Sequence, residues 1–81
     1  MIKLNKQQMD LLKKCLQKHS PGLITIIENP DSQNYSVEFY NQLRAIIGNE
    51  LVISGLNEDD EPNEYGLNLE SLIDEIGRLF L

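Results

Sequence analysis

Apolar residues recur along this chain at intervals of three and four, the spacing that lays one continuous stripe along an α-helix. Between Asn5 and His19, Met9, Leu12 and Leu16 fall on one stripe and Leu11, Cys15 and His19 on the adjoining one. Lys6, Lys13, Lys14 and Lys18 fall on the far side, which predicts an amphipathic helix with a basic outer face. Its start is marked twice. Asn5 followed by Gln8 spells a capping box, and Leu4 with Met9 occupies the two positions of a hydrophobic staple. Ser20 then offers a cap and Pro21 a first helical residue whose missing N–H does no harm, so a second, short helix runs to about Asn29. The β-branched run Leu23–Ile27 reads equally as a buried strand.

Residues 29–34, Asn-Pro-Asp-Ser-Gln-Asn, form a connecting loop by composition. Ser36 can cap a third helix from Val37 toward Ser54, in which Tyr40, Leu43, Ile47 and Leu51 recur with Phe39, Ile46 and Ile53 beside them. Gly48 within it costs about 1 kcal/mol relative to alanine. The alternative ends this helix at Gly48-Asn49 and pairs residues 51–53 with 23–27, an α+β fold. Two short strands alone make a poor sheet. Gly55 stops the third helix, and an acidic loop with nothing apolar to bury follows over residues 57–63. Leu69, Leu72, Ile73, Ile76, Leu79 and Phe80 then give the cleanest stripe in the chain, with Asn63 or Asn68 as its cap. The expected architecture is all-α: one domain over residues 1–81, a small bundle of three long helices plus one short helix.

Composition agrees that the chain folds, since Leu, Ile, Val and Phe make up 26 of 81 residues. A domain this small leaves no room for a two-lobed enzyme, and its stability is marginal enough for a partner or a second copy to matter. The first residues hold no apolar run of signal-peptide length, and the longest apolar stretch, Leu23–Ile27, is far too short to span a membrane. A single cysteine, Cys15, cannot form an internal disulfide. A reducing cytoplasm is therefore the expected setting.

Charge is divided unevenly. Residues 1–35 carry a balance of +2 and residues 36–81 one of −8, for a net charge of −6. This sign opposes nucleic-acid binding, which depends on clustered cations to neutralise phosphates. The lysine face of the first helix contains Asp10 and no arginine or aromatic residue, so it reads as a solvated face rather than a membrane surface.

Candidate chemistry is sparse. Cys15 and His19 are four apart and share a helix face, the spacing of an activated thiol, but no glycine-rich segment lies near to build an oxyanion hole. The bland reading is a small buried thiol beside a boundary histidine, and with no further Cys or His no zinc site is expected. Glu70 and Asp74 are also four apart, on a polar face that offers no burial to shift a pKa. Residues 59–70 resemble an EF-hand loop, with Asp59, Glu61 and Asn63 at the first, third and fifth places and Glu70 at the twelfth. The resemblance implies a calcium-like cation on those four residues. The competing reading is electrostatic, because acids ahead of a helix stabilise its positive end.

The expectation that follows is a non-enzymatic, cytoplasmic interaction module without cofactor, an adaptor, regulator or inhibitor. It would meet a protein with a basic surface through Glu58, Asp59, Asp60, Glu61 and Glu64. Divalent-cation binding by the same loop is the alternative, and self-association through Leu56, Leu67 and Leu81 is the third reading.

Overall fold

A computed structural model describes residues 3–28 and 35–79. It contains four helices: α1 (Lys6–His19), α2 (Gly22–Glu28), α3 (Val37–Ser54) and α4 (Glu64–Arg78). This is the small all-α bundle, and the α+β alternative is not formed. Leu23–Ile27 lies in α2 and residues 51–53 lie in the last turn of α3. The loop expected over residues 29–34, and with it Phe80 and Leu81, lies outside the described residues.

Local chemistry sets the helix ends. Asn5 Oδ1 accepts from the Gln8 backbone N–H at 2.7 Å, and Gln8 Oε1 accepts from the Asn5 N–H at 3.2 Å, a complete capping box. Ser36 Oγ accepts from the Phe39 N–H at 3.1 Å, and Asn63 Oδ1 from the Gly66 N–H at 2.8 Å. Asn63, not Asn68, is thus the cap of α4. Ser20 closes α1, its N–H donating to the Leu16 carbonyl at 2.7 Å, before a tight turn through Pro21 leads into α2.

Four helices meet in one core. Leu12, Cys15 and Leu16 of α1, Ile27 of α2, Leu43, Ile46 and Ile47 of α3, and Leu69, Leu72 and Ile76 of α4 are buried together. The stripe read from the sequence for α3 therefore points inward, with one exception: Ile53 is 65% exposed. α3 and α4 pack against each other most extensively, α1 crosses both, and α2 packs its backbone against α1 alone. Gly55 meets Gly66 at one end of the α3–α4 pair, and the Arg44 guanidinium lies against Gly77 farther along, so the two helices run antiparallel. No helix among the described residues is long and apolar enough to cross a membrane.

Candidate functional site: an acidic turn braced by a buried carboxylate

The connection between α3 and α4 is short and tightly bonded. Leu56 and Pro62 pair as an isolated antiparallel bridge, and within it the Asn57 N–H donates to the Glu61 carbonyl at 2.7 Å. The Asp60 N–H donates to the Asn57 carbonyl at 3.0 Å, and Asp60 itself takes a left-handed φ of 63°. Aspartate tolerates that region because its short polar side chain can bond locally. Beyond the bridge, the Asn63 N–H donates to the Gly55 carbonyl at 2.9 Å and Asn63 Nδ2 donates to the Ser54 carbonyl at 3.2 Å. The turn is thereby tied to both helices it joins.

It is also held from below by two glycines. A Cβ on Gly66 would collide with the Gly55 carbonyl oxygen, and one on Gly55 would lie 2.9 Å from the Leu51 carbonyl oxygen. Only residues without side chains let the backbones approach this closely. The consequence is a rigid platform, with Glu58, Asp59, Asp60, Glu61 and Glu64 all exposed on it. Among the described residues none of these five carboxylates is ion-paired; the ion pairs are Lys13–Glu28, Lys18–Glu50 and Arg78–Glu75, and His19 contacts Glu50 by a hydrogen bond.

Asp59, Glu61, Asn63 and Glu70 are arranged differently from an ion-binding loop. Asp59 Oδ1 accepts from the Glu61 N–H at 3.3 Å, Asn63 spends its carbonyl oxygen on the α4 cap, and Glu70 projects from the second turn of α4. Glu64, at the place where such a loop needs glycine, is instead the first helical residue. Among the described residues no group of three or more His, Cys, Asp or Glu side chains is positioned to hold a metal ion.

Directly beneath the turn lies the residue that sequence reasoning missed. Glu50 is 2% exposed, the one charged side chain buried among the described residues. Lys18 Nζ donates to its Oε1 at 3.0 Å, His19 Nε2 sits 3.1 Å from the same oxygen, and the Tyr65 hydroxyl donates to Oε2 at 2.8 Å. Since an ionised carboxylate only accepts, the His19 proton facing it is on Nε2. Burial alone would push the Glu50 carboxyl up, but these three hydrogen bonds and the Lys18 charge bring it down to about 2. Tyr65 is correspondingly held above its usual range, by burial and by its bond to Glu50.

The lysine face is therefore not simply solvated. Lys18 caps Glu50 and reaches Ser54 Oγ at 3.3 Å, Lys14 Nζ lies 4.9 Å from the Tyr65 ring centroid, and Lys13 pairs with Glu28 at 3.0 Å. Cys15 is fully buried, and burial followed by the Glu50 charge pushes its thiol up, away from the thiolate form. His19 directs its Nε2 to Glu50, so the Cys15–His19 spacing serves a brace between α1 and α3. Glu70 and Asp74 stay exposed on α4, where Arg78 pairs with Glu75 at 3.1 Å.

No family model matches the chain, and no curated protein or solved structure matches it.

Proposed function

We propose that the protein is a non-enzymatic interaction module that presents the acidic α3–α4 turn to a basic surface on another protein. The observation that carries this reading is the state of the five carboxylates. They are exposed, their backbone is fixed by the bridge, the caps and the glycine contact, and no cation within the described residues neutralises them. Fixing like charges close together raises the energy of the free protein, and a cationic partner relieves that cost while a preordered turn loses little entropy on binding. A net charge of −6 adds a long-range attraction for such a partner. A cytoplasmic setting, with Cys15 kept reduced, completes the proposal.

The test is capture of native partners by wild-type protein and by the triple variant Asp59→Lys, Asp60→Lys, Glu61→Lys. The wild type is expected to hold a basic protein at low salt and to release it as ionic strength rises from about 50 mM to about 500 mM, where screening shortens to a few ångströms. The triple variant is expected to hold none of it. An identical captured set for both proteins across the salt series would sink the reading.

A further inference from the structure

We infer that the groove between α1 and α4 binds a short extended peptide, held by its main chain and carrying a small aliphatic side chain. The inference is independent of the acidic turn and goes beyond it. The groove has a volume of about 270 Å³. That is room for about nine water molecules, which suits a short segment of chain and no larger body.

Its lining combines an apolar base with an uncharged polar rim. Leu72, fully buried, closes the base, and half-buried Leu11 supplies apolar surface beside it. Asn5, Gln7 and Gln8 form the α1 edge, and Asn68 and Ser71 form the α4 edge. No charged side chain lines the groove, although 25% of the chain is charged. An ionised ligand would lose water here without gaining a counter-charge, so the fitting ligand is neutral.

The polar rim is not used up by the fold. Asn68 and Ser71 sit inside α4, where asparagine and serine are poor helix formers, and the cap of that helix is Asn63. Among the described residues neither makes a side-chain hydrogen bond, and Gln7 on the facing edge makes none. Asn5 and Gln8 spend their amide oxygens on the capping box, which leaves their NH2 groups to donate. Unspent amides on both edges of a small hollow with an apolar base are the makings of a recognition site.

The chemistry of the rim selects the occupant. A side-chain amide presents an acceptor and donors together. In an extended chain the N–H and C=O of one residue face the same edge, so a single Asn or Gln can bond both. The side chains of such a segment alternate between its faces, and an aliphatic one then meets Leu11. A sugar would satisfy the rim through its hydroxyls, but its ring face packs best on an aromatic side chain, and none lines the groove.

The probe is N-acetyl-leucine N-methylamide, which carries two peptide groups and one aliphatic side chain. In NMR titrations at millimolar concentration it is expected to shift the side-chain NH2 signals of Gln7, Gln8 and Asn68 together, to the same extent at low and high salt. Asn68→Ala, Ser71→Ala and, on the other edge, Gln7→Ala each remove an exposed group, with folding checked by circular dichroism. Each should weaken binding about fivefold, as should replacing the probe by N-acetyl-leucine methyl ester, which lacks one N–H donor. Methyl glucoside at the same concentration should leave the three signals in place. Absence of shifts with the diamide, binding that none of the three substitutions weakens, or tighter binding of the glucoside each overturns the inference. None of these outcomes bears on the acidic turn, whose test is partner capture.

Discussion

Gly66→Ala is expected to lower the stability of the folded chain by about 3 kcal/mol, near the top of the range for overpacking a close contact. The added methyl would occupy the space of the Gly55 carbonyl oxygen, so α3 and α4 must move apart where they pack most tightly. In thermal unfolding this should appear as a drop in Tm of roughly 10–20 °C for a domain of this size. Gly48→Ala supplies the contrasting control. Gly48 lies inside α3 with nothing within 4 Å of an added Cβ, so alanine there should stabilise by up to about 1 kcal/mol through helix propensity alone. Two glycine substitutions of identical chemistry thus have opposite signs. A Gly66→Ala protein that melts with the wild type would remove the tight contact from the account of the turn.

Glu50→Gln should be the second large effect, and its signature is a pH profile. The substitution keeps the shape of the side chain and removes the charge that Lys18, His19 and Tyr65 all face. The carboxyl is depressed from 4.5 to about 2 on folding, so its ionised form is favoured by the native state. The corresponding stability, about 3 kcal/mol, is fully present above the unfolded value and is lost as pH falls through the folded one. The gap in unfolding free energy between wild type and Glu50→Gln is therefore expected to be wide at neutral pH and to close as pH falls from about 4.5 to about 2. Urea denaturation at a series of pH values reads it directly. A gap that stays constant down to pH 2 would mean that the Glu50 charge is not what braces the three helices.

Helix ends were the most legible feature, because their signals are local. Asn5 with Gln8, Ser36 and Asn63 are short-range caps, and each stands where the sequence places a helix start. The α2 segment was ambiguous for a physical reason: its β-branched residues suit either state, and only the lack of a pairing partner, with residues 51–53 retained in α3, decides for helix. Glu50 was hidden by its type, not by its position. It follows Leu43, Ile46 and Ile47 at core spacing, so periodicity alone marks it as inward-facing, whereas its charge suggests solvent. Lys14 and Lys18 do lie exposed on the outer face, but their contacts were not legible, since long cationic chains can bend back from such a face to an aromatic ring or a buried carboxylate. The Gly55–Gly66 contact joins residues from two helices, and neither glycine signals it alone. Gly55 reads as a helix stop and Gly66 as an unremarkable helical residue until the turn brings them together.

The peripheral seat of α2 divides the molecule into parts of unequal persistence. Seven residues long, α2 adds Ile27 to the shared core, while the glycine crossing and the Glu50 brace are built from α1, α3 and α4 alone. The amides of α2 are therefore expected to exchange faster than those of α3 and α4 in hydrogen-exchange measurements.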